Sequence, residues 1–217
     1  MENYYAKLGS KYKTKSHNPN FSKTHFIEIP ARIVLVGQSG SGKTNAALNI
    51  LKAFNGTFDK VVLVCKSVSG DPLYEMLSDK LGDAMEIHEN GEVPALDEFD
   101  GEGQTLFIAD DLVGDKVATK AMIEHFKRGR KKNITYMYLS QSWFKIDKFL
   151  RQNTSHVVIK KVSSVKDLKL ILSEFPLNCD IDDLKQMYDY ATSRFEDVLL
   201  IDLLNGHIYK NLTERLL

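Results

Sequence analysis

The octapeptide GQSGSGKT at positions 37–44 constrains this chain more than any other segment. It satisfies G-x-x-x-x-G-K-[ST] and lies between an apolar run, ARIVLV (31–36), and a stretch with helical spacing, TNAALNILKAF (44–54). A strand before and a helix after are what this motif requires. Gly37, Gly40 and Gly42 let the backbone of Gln38, Ser39 and Ser41 wrap with its N–H groups turned inward. The helix that follows presents its positive end to the same anion. Lys43 is expected to bridge the β- and γ-phosphates of ATP, and Thr44 to ligate Mg²⁺.

The rest of the chain repeats this unit. KVVLVC (60–65), TLFIAD (105–110), ITYMYLS (134–140) and HVVIK (156–160) are nearly continuous in apolarity, as strands buried on both faces of a parallel sheet are. PLYEMLSDKLG (72–82), KVATKAMIEHFKRG (116–129), VKDLKLILSEF (165–175) and DIDDLKQMYDYATS (180–193) have helical spacing. The alternation predicts an α/β fold with a doubly wound, mostly parallel sheet. In EDVLLIDLLNGHIYKN (196–211), Asn205-Gly206 between two apolar runs predicts a C-terminal β-hairpin.

Residues 1–26 differ in composition. They carry Lys7, Lys11, Lys13, Lys15 and Lys23 against Glu2 alone, which predicts a basic, loosely ordered N-terminal arm ahead of an ATPase domain at 27–217. Over the whole chain 29 basic residues balance 29 acidic ones, so any electrostatic argument for nucleic acid must be local. Cys65 and Cys179 lie far apart without metal spacing, and Cys65 falls in an apolar run, as a buried thiol does. No apolar stretch approaches the roughly 18 residues of a membrane span, and the N-terminus has no signal-peptide region; the chain is expected not to be secreted.

The strand TLFIAD runs into Asp110 and Asp111. In a Walker B arrangement Asp110 holds Mg²⁺ and Asp111 polarises the attacking water. One strand-helix unit (60–82) separates the phosphate loop from this strand, the layout of additional-strand, RecA-like P-loop NTPases. In that layout ITYMYLS lies beside the phosphate loop. Its end carries Ser140 and Gln141, and Gln141 is the better γ-phosphate sensor because an amide both donates and accepts.

These segments resemble a family: the FtsK/HerA superfamily of DNA-pumping ATPases, and within it the poxvirus-type packaging ATPases of large double-stranded DNA viruses and virophages. The resemblance rests on GQSGSGKT, LFIADD, FKRGRKKNITYMYLSQS, LRQNTSHVVI and the closing FEDVLLIDLLNGHIYKN, over residues 31 to 211. It implies an ATPase that translocates double-stranded DNA into a capsid. The expected partners are double-stranded DNA, further copies of the chain in a homo-oligomeric ring, and capsid or portal-vertex proteins. The expected location is the virion or the infected host cell. An arginine from the neighbouring subunit is expected at the γ-phosphate; Arg130, Arg128 beside it, and Arg151 are the candidates. Lys131 and Lys132 could meet the DNA backbone. A helicase or other DNA-processing motor of the superfamily, or a slow nucleotide-dependent assembly switch, are the alternatives.

Overall fold

A computed structural model describes Glu2 and residues 16–217. Nine strands form one sheet in the order β3-β2-β4-β5-β1-β6-β7-β8-β9. The strands are β1 (Arg32–Val36), β2 (Lys60–Val64), β3 (Met85–His88), β4 (Thr105–Asp110), β5 (Ile134–Ser140), β6 (His156–Ile159), β7 (Leu199–Asp202), β8 (His207–Lys210) and β9 (Glu214–Arg215). The first six run parallel and the last three antiparallel. The helices are α1 (Lys43–Ala53), α2 (Pro72–Leu81), α3 (Lys116–Arg128), α4 (Lys148–Gln152), α5 (Val165–Glu174) and α6 (Ile181–Ala191).

Alternate residues of each central strand point to opposite faces, and each face has its own core. Ile33 and Leu35 of β1, Leu106 and Ile108 of β4, and Met137 and Leu139 of β5 pack with Ala46, Ala47 and Ile50 of α1 and Tyr74 of α2. Val34 and Val36, Phe107 and Ala109, and Tyr136 and Tyr138 pack on the other side with Met122 and Phe126 of α3, Leu168 and Ile171 of α5 and Leu184 of α6. The sheet is thus doubly wound, as its continuously apolar strands predict. The C-terminal hairpin forms at Asn205-Gly206, with Gly206 at φ 70° in the turn, and β9 extends it.

Three elements are absent from the sequence reading. β3 reads MEIH and is only half-buried, α4 spans five residues, and β9 two. None is long or apolar enough to show a period.

Residues 1 and 3–15 of the basic arm, with Lys7, Lys11, Lys13 and Lys15, lie outside the described residues. The part from His17 onward is pinned to the body. Gln104 accepts from the His17 N–H and donates to its carbonyl at 2.9 Å, and Asn18 donates to the Ile27 carbonyl at 3.1 Å. His25 is fully buried, 4.1 Å from the Phe54 ring centroid, and its Nδ1 accepts from the Ile27 N–H.

Burial pushes the His25 imidazole down from 6.5 to about 4. The fold therefore keeps it neutral where an unfolded chain would begin to protonate it. Below about pH 6.5 the unfolded state binds the extra proton, so stability should fall as the pH drops toward about 4. An NMR titration should place the His25 pKa near 4, and the urea midpoint should decline across that window.

Candidate nucleotide-binding site

β1 ends between two parallel neighbours, and this placement builds the loop. The Gly37 N–H donates to the Ser140 carbonyl of β5 at 3.1 Å, and the Gln38 N–H to the Lys161 carbonyl after β6 at 2.8 Å. Gly40 and Gly42 take φ values of 72° and 84°, in the left-handed region that favours glycine. The first turn of α1 has no side-chain cap and no acidic residue. Its N–H groups and positive dipole end are left for an anion. GQSGSGKT folded this way has the geometry of an anion cradle.

Lys43 lies at the mouth of the cradle, its Nζ 3.3 Å from the Gln38 carbonyl. Burial pushes its pKa down, and the charges of Asp110 and Asp111 pull it back up. Asp110, at the end of β4, has its pKa raised by burial, against the lowering effects of the Tyr74 hydrogen bond and the Lys43 charge. The Tyr74 hydroxyl donates to Asp110 Oδ2 at 2.7 Å, so a phenol fixes one of the two expected Mg²⁺ ligands. Asp111 follows at φ 53°, a bend that turns it out of the strand. Gln141 Nε2 approaches Asp111 Oδ1 at 3.4 Å, a long contact between the two residues expected at the attacking water. The loop, the paired aspartates and Gln141 therefore converge at the C-terminal edge of the sheet.

The arginines lie elsewhere. Arg128 and Arg130 precede β5, at the opposite edge, and seven residues of strand separate them from Gln141. At roughly 3.3 Å per residue that is over 20 Å. Neither can reach the phosphate loop of its own chain. Arg128 is exposed and 3.8 Å from Asp97, and Arg130 is exposed near Arg32. Between them Gly129 passes so close to Tyr136 that a Cβ would sit 1.8 Å from the hydroxyl oxygen. The glycine is there for this close approach. Gly129→Ala should destabilise the fold by about 1–3 kcal/mol, read as a lower urea midpoint.

Arg151 is engaged within its own chain. Its Nη2 pairs with Glu174 Oε1 at 2.8 Å, its Nε donates to both Glu174 oxygens at 3.1 Å, and its Nη1 donates to the carbonyls of Phe144 and Ile146. Trp143 Nε1 donates to the same carboxylate at 2.9 Å. This ties the segment after Gln141 to α5. A guanidinium so engaged clamps this segment, and of the three candidate arginines it is the one held by a bidentate carboxylate in its own chain.

Three residues of the site carry no motif. Tyr74 sits at the third position of α2, with nothing in PLYEM to mark it. Lys160 ends HVVIK and is 2% exposed, with its Cβ against Gly37 and its Nζ donating to the carbonyls of Phe195 and Asp197. Phe195 lies over Gly42. A lysine closing an apolar strand was the one available signal, since a buried ammonium needs partners.

Residues 18–77 match the family model described as Poxvirus A32 protein; they run from the pinned N-terminal segment through the phosphate loop into α2. Among curated proteins none matches. Among solved structures, the genome packaging NTPase B204 from Sulfolobus turreted icosahedral virus 2 in complex with ATPγS is 16% identical at a TM-score of 0.61, covering 86% of this chain and 99% of that one. The fold is that of a P-loop ATPase. EssC from Geobacillus thermodenitrificans (11% identity, TM-score 0.57) and the pCW3 conjugation coupling protein TcpA (13%, TM-score 0.58) share it, with 86% and 87% of this chain covering 40% and 62% of theirs. No helix among the described residues is long and apolar enough to cross a membrane.

Replacing Arg151 with alanine should cost on the order of 2–4 kcal/mol, because the largely buried Glu174 charge loses its partner. The same change at exposed Arg128 or Arg130 should leave the thermal midpoint within about a degree or two. Differential scanning calorimetry of the three variants separates the clamp from the surface arginines.

Proposed function

We propose that this chain is an ATP-hydrolysing motor that translocates double-stranded DNA, working as a homo-oligomeric ring to package a viral genome into a capsid. The observation that carries the reading is the insertion of β5 between β1 and β4, which brings Gln141 beside Asp111 at the phosphate loop. That arrangement senses the γ-phosphate and the attacking water together. The match of residues 18–77 to the Poxvirus A32 family model and the fold shared with a genome packaging NTPase support the same function. The chain would then act in the virion or the infected cell, against capsid or portal-vertex proteins.

Each residue has a role in this reading. The N–H groups of Gly37–Thr44 and the ammonium of Lys43 bind the β- and γ-phosphates. Thr44 and Asp110 would hold Mg²⁺, which neutralises phosphate charge when bound. They fit a hard cation, since each offers oxygen and the Tyr74 hydroxyl holds the Asp110 carboxylate in place. Among the described residues no group of three or more His, Cys, Asp or Glu side chains gathers around a metal position, which suits an ion that takes its other ligands from phosphate and water. Asp111 accepts the proton side of the attacking water, and Gln141 orients it. Arg128 or Arg130, more than 20 Å from the home loop by strand length, serves the loop of the next subunit. Lys131 and Lys132, in the same turn, contact DNA backbone.

Hydrolysis of ATP should rise several-fold when linear double-stranded DNA is added, in a species that sedimentation shows to be oligomeric. Lys43→Ala should abolish turnover. An inactive arginine variant should regain partial activity when mixed with Lys43→Ala protein, since one subunit then supplies the loop and the other the arginine. A strictly monomeric protein whose hydrolysis ignores DNA would sink this reading.

A further inference from the structure

Phe195 is 59% exposed, yet it is held in one place. Its ring tip comes so near the phosphate loop that a Cβ on Gly42 would meet Cζ at 2.7 Å. Core packing does not hold it there. The buried Lys160 does, by donating to the carbonyls of Phe195 and Asp197 and by lying 5.1 Å from the ring centroid. Asp197 is fixed in turn by Asn211, whose Nδ2 donates to it at 3.1 Å.

A groove of about 490 Å³ lies next to this segment. Asn45, Ala46 and Asn49 of α1 form one wall, and Glu196, Val198 and Leu212 the other. Its volume is in the range of small-ligand sites, and its lining mixes apolar side chains (Ala46, Ile50, Val198 and Leu212) with polar ones. One end abuts the first turn of α1, where the phosphate cradle stops. A triphosphate seated in Gly37–Thr44 must send its nucleoside half out past this turn.

We propose that Phe195 and this groove receive the base and ribose of the nucleotide. The exposed ring supplies a π-face for the purine, Glu196 accepts from the ribose hydroxyls, and the Asn45 amide meets a polar edge. The proposal rests on the nucleotide reading of the phosphate loop and extends it to the half of the ligand that the loop does not touch. It also gives Gly42 a second reason to lack a side chain: a Cβ would displace the ring.

Calorimetric titration of the full chain with MgATP and with magnesium tripolyphosphate tests it. Phe195→Ala should weaken ATP roughly tenfold, the loss of one base–aromatic contact, and leave tripolyphosphate unchanged. Phe195→Tyr, which keeps the ring, should bind ATP as the wild type does. Lys43→Ala should weaken both ligands. Unchanged ATP affinity in Phe195→Ala, or equal losses for ATP and tripolyphosphate, would overturn the assignment, since the ring would then be idle or would merely support the loop. A wild-type chain that binds neither ligand overturns the phosphate site itself, and this proposal with it.

Discussion

The position of β1 between β5 and β6 is the constraint on which everything else depends. The loop that follows β1 is glycine-rich and has little packing of its own. It keeps its shape because Gly37 is hydrogen-bonded to the end of β5 and Gln38 to the chain leaving β6. The same parallel register brings Val36 level with Ser140 and Ile159, so that Gln141 and Lys160 emerge at the loop's height. A slip of either neighbour by one residue would turn those side chains to the opposite face.

Burial then sets the electrostatics. Lys43, Asp110 and Tyr74 are drawn partly out of water, and each is pushed toward its neutral form. What holds the charged forms in place is mutual: the lysine faces two aspartates, and Asp110 accepts from a phenol. Such a site has its charges arranged before a ligand arrives, which is how an enzyme avoids reorganisation during the reaction. Cys65, close by, is pushed up to about 11 by burial and by Asp110. It remains a thiol, as its apolar strand suggests.

The two edges of the sheet carry different sets of polar residues. The phosphate loop, the aspartates and Gln141 occupy the C-terminal edge, while Arg128, Arg130, Lys131 and Lys132 occupy the turn that enters β5 from the other. β5 therefore joins a basic turn to Gln141 through seven buried residues. A strand hydrogen-bonded on both sides is a stiff connection between the two edges of the sheet. Beyond Gln141 the Arg151–Glu174–Trp143 cluster continues that connection into α5.

Much of this was legible in the chain alone. The phosphate loop, Asp110, Asp111, the alternation of strand and helix, and the hairpin at Asn205-Gly206 rest on local rules of backbone freedom and periodicity, which need no knowledge of distant neighbours. Gln141 could be named because strand layout places it. Tyr74, Lys160 and Phe195 could not, for they reach the site from 36, 123 and 153 residues away from Asp110, Gly37 and Gly42 respectively. Arg151 looked like the other arginines until Glu174, 23 residues on, was seen to hold it. Sequence determined which residues can bind a phosphate, because that ability lies in a contiguous loop. Tertiary structure decided which side chains surround it and which arginines are engaged within the chain, because those depend on register and on the partners that folding brings together.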